Sequence, residues 1–159
     1  MLPAPTSRLR LREMTAADLP DIETLELGGT RGPRGWIEWN VRNYAEHGFG
    51  LWVVETHAGE FVGDCGLTMQ EVDGEWHVEA GWHVRASHRR QGYAAEAAAS
   101  VRDAAREAGV EHLVAIIRPD NLASQGVARR IGLSLERETE KNGKPVLVFG
   151  ADLGRAGPG

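Results

Sequence analysis

The sequence contains little cysteine, little lysine and no long hydrophobic run. Cys65 is the one cysteine among 159 residues, which excludes an internal disulfide and favours a reducing compartment such as the cytoplasm. No apolar stretch approaches the roughly 20 residues of a membrane-spanning helix, and residues 1–12 lack the apolar centre of a signal peptide. We therefore expect a cytoplasmic protein with no membrane partner.

The sequence also lacks an excess of basic charge and any spacing typical of a metal site. Its net charge is −5, whereas a protein that binds nucleic acid usually presents a basic face. The six histidines and the single cysteine show no ligand spacing, so no metal is predicted. The length and the 42% hydrophobic content fit one globular domain, which we place at residues 1–153. A disordered tail is expected at residues 154–159.

Hydrophobic periodicity predicts an α/β fold. A strand–helix–strand unit of the parallel type occupies the middle of the chain, and hairpins occupy its ends, so we expect one mixed, mostly antiparallel sheet of about six to seven strands with helices on both faces. Strands are predicted over residues 8–12, 51–55, 61–67, 76–84, 112–117, 133–139 and 145–153, and helices over 15–27, 33–47, 93–108 and 121–132.

Two turn signals support these boundaries. The alanine-rich helix that follows Gly92 is expected to stop at Gly109, because glycine adopts the left-handed conformation common at helix C-termini. The pair Asn142-Gly143 predicts a tight hairpin between the last two strands.

Residues 79–97 carry the strongest functional signal. A strand-like run enters a loop that contains Arg85, Arg89 and Arg90, passes Gly92 and continues as a helix. The free N–H groups and the dipole at the start of a helix attract anions, and arginine adds full positive charges. Gly92 lets the backbone approach a ligand closely. The pattern therefore predicts a phosphate-binding loop.

Two motifs give the chain a resemblance to a known family. The loop reads Arg89-Arg90-Gln91-Gly92-Tyr93-Ala94 and fits the pattern [Gln/Arg]-x-x-Gly-x-[Gly/Ala]; downstream, Asn121-x-x-Ser124 precedes a helix that closes at Gly132. The chain resembles the GNAT superfamily of acyl-CoA-dependent N-acetyltransferases, and most of all its RimJ/RimL-like branch, which acetylates ribosomal-protein N-termini. The resemblance implies the GNAT fold, with a central parallel pair of strands that splay apart.

The resemblance also implies acetyl-CoA as co-substrate and assigns residues to it. The backbone amides of Arg89, Arg90, Gln91, Gly92, Tyr93 and Ala94 would hold the pyrophosphate. The strand segment Trp82-His83-Val84 would pair with the pantetheine arm as a neighbouring strand would, with an oxyanion donor near Val84. Asn121 either contacts pantetheine or simply caps its helix. Arg129 or Arg130 would reach the 3′-phosphate.

For the chemistry of transfer, Glu79 is the favoured base. It lies ten residues before Arg89, where some members of the superfamily place a catalytic glutamate, and apolar neighbours would raise its pKa. An outward-facing glutamate is the alternative. His77 and His83 share its strand parity and suit the same task by their pKa. The tyrosine that many members use as acid is absent, because Ala128 stands at that position. The RimL-like motif suggests that Ser124 donates a hydrogen bond to the thiol instead. The alternatives are that Ser124 is an ordinary serine of the first helical turn and that the thiol leaves as a thiolate or takes a proton from water.

The sequence indicates the residues that would bind the amine acceptor less clearly than those that would bind the coenzyme. In this family the region of Trp36, Trp39 and Tyr44 forms an acceptor wall, although an aromatic residue in an amphipathic helix is often simply core. Three acidic residues either attract a cationic amine or are solvated turn charges: Asp64, Glu71 and Glu75.

We therefore expect a single-domain N-acetyltransferase that acetylates a primary amine on a protein N-terminus or on a small molecule. A homodimer is a candidate assembly. Two alternatives stay open: an acetyltransferase for an antibiotic or metabolite amine, and a non-catalytic acyl-CoA-binding module.

Overall fold

The computed structural model describes residues 1–154. The predicted tail therefore lies, from residue 155 onward, outside the described residues. None of the helices formed by residues 1–154 is long and apolar enough to cross a membrane.

One seven-stranded sheet organises the chain, with strand order β1-β2-β3-β4-β5-β7-β6. Only β4 and β5 run parallel; every other neighbouring pair is antiparallel. The mixed α/β fold predicted from the sequence is confirmed. The strands are β1 Leu9–Arg12, β2 Leu51–Thr56, β3 Phe61–Val72, β4 Glu75–Val84, β5 His112–Ile117, β6 Ser134–Lys141 and β7 Lys144–Asp152, and the helices are α1 Leu19–Glu23, α2 Gly32–His47, α3 Tyr93–Glu107 and α4 Leu122–Arg130.

Helices cover both faces of the sheet, as expected. The larger core cluster joins α3 and α4 to one face, and the smaller one joins α1 and α2 to the other. The buried side of α3 consists almost wholly of alanine, and its small side chains let the helix lie close to β3 and β4. This close packing brings the start of α3 to the end of β4.

The first predicted helix is wrong in its extent. It was expected over residues 15–27, but α1 ends at Glu23 after a 3₁₀ turn at Ala16–Asp18. At the start of this segment the Thr15 N–H donates to the Asp18 carboxylate at 2.8 Å. The helix stops because Leu25 turns into the core and Glu26 adopts a left-handed φ of 52°.

Strand β3 is longer than the predicted 61–67. It continues to Val72 because Thr68–Val72 pair residue by residue with the start of β4. The resulting hairpin tip is fastened to β6: Asp73 accepts hydrogen bonds from Arg137 at 3.1 Å and Thr139 at 2.7 Å.

Candidate active site

The loop between β4 and α3 ends in two residues with left-handed backbone, Arg90 (φ 63°) and Gly92 (φ 78°). Gly92 is the N-cap of α3, and the first bond of the helix runs from the Glu96 N–H to the Gly92 carbonyl at 3.1 Å. The N–H groups of Tyr93 and Ala94 therefore have no partner inside the helix. Together with the helix dipole they form a cradle for an anion.

The start of the chain braces this cradle. The Glu96 carboxylate accepts hydrogen bonds from the Arg8 backbone N–H at 3.1 Å and from its Nε at 2.7 Å. The Arg8 guanidinium lies 4.4 Å from the centre of the Tyr93 ring. A Cβ added at Gly92 would come within 3.4 Å of that guanidinium. That distance is an ordinary contact with the end of a flexible side chain, so the left-handed φ, and not a lack of space, favours glycine at position 92. No sequence signal pointed to Arg8 at this site.

The parallel strands β4 and β5 separate soon after they meet. Only two residue pairs join them, Val78 with Leu113 and Glu79 with Val114. Beyond this point the Ile116 N–H donates to the Glu79 side chain, with 2.7 Å between N and Oε2, instead of to the neighbouring strand. The splay expected from the family resemblance is present, and Glu79 stands at its apex.

A first cavity of about 560 Å³ runs from the start of α3 along β4 to α4. Three arginines line it: Arg89, Arg90 and Arg130. Most of the predicted coenzyme residues line it: Trp82, His83, Val84, Arg89, Arg90, Gly92, Tyr93, Ala94, Asn121 and Ser124.

A second cavity of about 550 Å³ opens on the other side of β4. Its wall combines aromatic rings from α2, polar side chains from β3 and the odd-numbered residues of β4. Among them are Trp36, Trp39, Thr68, Gln70, Glu79, Gly81 and His83. His83 thus lines both cavities, and the predicted alternation along β4 places Glu79 and His83 on one face. His77 lines neither cavity and lies near His112.

Glu79 is a partly buried carboxyl group with an unusual acidity. Burial raises its pKa to about 7, against the opposing effects of the Ile116 N–H and of the charges on His83 and Lys141. It is therefore half ionised near neutral pH, which suits a group that takes up and releases protons. Its contact with the Ile116 N–H also gives it a structural role at the splay.

His83 is held by a fully buried carboxylate. Its Nδ1 lies 2.7 Å from Oδ1 of Asp64, and the Trp36 Nε1–H donates to the other Asp64 oxygen at 2.9 Å. Burial alone would lower the pKa of His83, but the charge and hydrogen bond of Asp64 raise it above its ordinary value. Within residues 1–154 no protein atom pairs with the other ring nitrogen, Nε2.

Asp64 is the main residue that the sequence reasoning undervalued. The sequence predicts a group that attracts the amine or a solvated charge, but the side chain of Asp64 is 0% exposed and reaches only its protein partners. One signal was available. Asp64 stands inside the apolar run of β3, and a charge buried there requires a partner.

Five other predicted residues do not reach a cavity. Arg129 extends toward the Phe149 ring, 5.3 Å from its centre, and Arg130 lines the first cavity instead. Gln91 lines neither cavity. Tyr44 is a core residue whose hydroxyl accepts from the Met14 N–H and donates to the Leu51 carbonyl. Glu71 and Glu75 are exposed and lie away from both cavities.

The structure shows Asn121 as a helix cap, and its contact with pantetheine stays a prediction. Its Oδ1 accepts from the Ser124 N–H at 3.1 Å, so it caps α4. Asn121 and Ser124 also line the first cavity, where they face the loop across the splay. The cap fixes the start of α4, which in turn fixes where Ser124 and Arg130 stand.

Comparisons with known proteins agree with this geometry. The family model described as "Acetyltransferase (GNAT) domain" matches residues 8–134. A relative from Bacillus subtilis strain 168, the uncharacterized protein YkkB, is 34% identical, with 91% of this chain and 92% of the relative covered.

Solved structures agree as well. An acetyltransferase from Agrobacterium tumefaciens superposes with a TM-score of 0.82 at 28% identity, covering 95% of this chain and 94% of that one. RimL, a ribosomal L7/L12 α-N-protein acetyltransferase in complex with coenzyme A, superposes with a TM-score of 0.77 at 18% identity, covering 96% and 98%.

Proposed function

We propose that this chain, which belongs to the GNAT acetyltransferase family, transfers the acetyl group of acetyl-CoA directly to a primary amine. The observation that carries the proposal is the meeting of two cavities at one strand. The first fits an anionic, elongated thioester, and the second offers a proton acceptor to an amine. A direct attack needs the thioester carbon and the amine nitrogen to meet at the splay between β4 and β5.

In this proposal the coenzyme lies along the first cavity. The free N–H groups at the start of α3 bind the pyrophosphate, and Arg89 and Arg90 neutralise its charge. The separated edge of β4, from Trp82 to Val84, offers backbone groups to the amides of pantetheine. Arg130 is the cation placed to reach the 3′-phosphate. The RimL structure, which contains coenzyme A, supports this placement through its similar fold.

The amine enters from the second cavity and meets Glu79. An ammonium group cannot attack a thioester, so it must first lose a proton. A carboxylate with a pKa of about 7 takes this proton near neutral pH. The ring systems of Trp36 and Trp39 provide an apolar wall, and Thr68 and Gln70 provide hydrogen bonds. Ser124, on the other wall of the splay, is placed to donate a hydrogen bond to the coenzyme sulfur.

The acceptor is a protein N-terminus or a small amine, and we favour the N-terminus. The polar side chains of β3 can bind the backbone groups of a short peptide as it enters. The cytoplasm is the proposed location, because Cys65 is a buried free thiol. A homodimer stays a prediction.

One assay tests the proposal. The protein is mixed with acetyl-CoA and with three groups of acceptors: peptides with a free N-terminus, the same peptides with a blocked N-terminus, and small primary amines. Release of free thiol with the free peptides alone supports protein acetylation, and release with small amines supports the metabolite alternative. Tight coenzyme binding with no thiol release from any amine would contradict the enzyme and favour a binding module, the reading that the missing tyrosine keeps open.

A further inference from the structure

The leaving sulfur has no obvious proton donor on α4. Ala128, which stands where many relatives have a tyrosine, is 0% exposed and packed in the core. Serine is a weak acid, so Ser124 can donate a hydrogen bond but gives up a proton reluctantly. The sulfur then leaves as a thiolate, takes a proton from water, or receives one from another wall of the splay.

We propose that His83 is a catalytic residue whose imidazolium protonates the coenzyme sulfur, and that Asp64 is the residue that positions it. This inference rests on the proposed acetyl transfer. Three geometric facts carry it. His83 lines both cavities, so it stands where the thioester and the amine must meet. Its Nδ1 is bound to the buried Asp64 at 2.7 Å, which fixes the ring. Its Nε2 has no hydrogen-bond partner among the described residues 1–154.

The packing around the ring leaves it few other orientations. The Trp36 indole meets the imidazole edge-on, with 5.6 Å between ring centres and 76° between planes. The same indole binds the second oxygen of Asp64, so all three side chains form one connected unit. Because Asp64 can only accept, His83 must donate from Nδ1, and a proton on Nε2 makes it an imidazolium.

The surrounding charges favour this imidazolium. Asp64 on β3 and Glu79 on β4 are the acidic groups that act on His83, and both stabilise its charge. The cations on the cavity walls are Arg31 in the second cavity and Arg89, Arg90 and Arg130 in the first, and Arg31 is engaged with the Trp39 ring at 4.0 Å. The pKa of His83 lies above its ordinary value.

Glu79 and His83, both on β4, have opposite roles in the proton transfers: Glu79 accepts a proton and His83 donates one. Glu79 takes one proton from the ammonium, and the nitrogen lone pair forms a bond to the thioester carbon. As the C–S bond breaks, its electron pair goes to sulfur, which takes the Nε2 proton of His83. The amide nitrogen gives its second proton to water. Afterwards the proton on Glu79 returns His83 to the imidazolium, so each turnover releases one proton to solvent.

The experiment compares kcat across pH for the wild type and three variants. His83→Asn keeps a donor for Asp64 and removes Nε2, so the buried carboxylate stays paired. Asp64→Asn keeps the shape and removes the charge. His112→Asn is the matched control, because His112 is also paired with carboxylates, Asp152 and Glu136, and has a raised pKa, but lies at the other end of β5.

We expect kcat of the wild type to fall at alkaline pH, as His83 loses its proton. The pH profile of His83→Asn should lack this alkaline limb. Its kcat should be about 100-fold lower than that of the wild type, the usual effect of removing a general acid. Asp64→Asn should move the limb to lower pH, and the NMR titration of the His83 ring should move with it. His112→Asn should match the wild type.

A His83→Asn protein that folds, binds coenzyme and keeps both the alkaline limb and a kcat within twofold of the wild type would overturn the inference. An Asp64→Asn protein in which the ring titrates as in the wild type would overturn the role of Asp64. If the wild type itself releases no thiol with any amine, the proposed function fails and this inference fails with it. An active wild type beside an unaffected His83→Asn separates the two cases.

Discussion

Replacing Glu79 by glutamine should stabilise the folded chain at alkaline pH and leave it nearly unchanged at acidic pH. Burial raises the pKa of Glu79 from 4.5 to about 7. Above pH 7 the folded chain therefore holds a charge in a place where water cannot solvate it fully. The unfolded chain holds the same charge in water.

The sign and size of the effect follow from the two pKa values. A carboxyl group whose folded-state pKa is raised contributes stability that is complete below its unfolded pKa and is lost as the pH rises through the folded pKa. One pKa unit corresponds to about 1.4 kcal/mol, so the raised pKa of Glu79 costs the wild type up to ~3 kcal/mol at pH 9. Glutamine carries no charge and can still accept from the Ile116 N–H, so the variant avoids this loss.

Urea unfolding at pH 5 and pH 9, followed by tryptophan fluorescence, measures the difference. The matched control is Glu75→Gln, because Glu75 lies on the same strand with its side chain 75% exposed. We expect the stability gain of Glu79→Gln over the wild type to grow with pH and that of Glu75→Gln to stay near zero. A gain for Glu79→Gln that is the same at both pH values would refute the reasoning.

Three further predictions concern activity and binding. In Glu79→Gln the acid limb of kcat/KM should move from about pH 7 to the pKa of the free amine, about 8 for an α-amino group; an unmoved limb removes Glu79 as base. Gly92→Val should weaken coenzyme binding at least tenfold by calorimetry, because a branched residue cannot readily adopt the φ of 78° that shapes the loop. Gly109→Val, with a φ of 89° at the far end of α3, should have the same backbone cost and unchanged affinity. Arg130→Ala should weaken the binding of coenzyme A about tenfold and leave the binding of dephospho-coenzyme A unchanged, while Arg129→Ala should change neither affinity.

The fold was largely predictable because its local signals and its packing agree. β5 has the predicted bounds, and α2 differs by one residue at its start. Asn142 and Gly143 both adopt the left-handed backbone that a tight hairpin requires. The extent of the first helix was predicted wrongly because its local signal and its packing disagree. Its periodicity extends past Glu23, but the burial of Leu25 bends the chain out of the helix.

The site was predictable in part, and its limits are physical. A loop motif and strand parity placed the anion cradle and set Glu79 and His83 on one face. Parity along one strand does not reveal which residue of the next strand lies opposite, so the pairing of His83 with Asp64 became visible only with the register of β3 and β4. Likewise, Arg129 and Arg130 point in directions about 100° apart on their helix, and only its packing selects the one that reaches the cavity.

The alanine face of α3 has a consequence for how this chain can change. Five buried side chains separate the helix from the sheet, all of them small: Ala97, Ala98, Val101, Ala104 and Ala105. This thin layer acts as a spacer that sets the height of the anion cradle above β4. A bulkier residue at Ala98 would lift the helix and carry the cradle away from the strand as one body. Variation in this layer is therefore constrained by ligand geometry before it is constrained by folding.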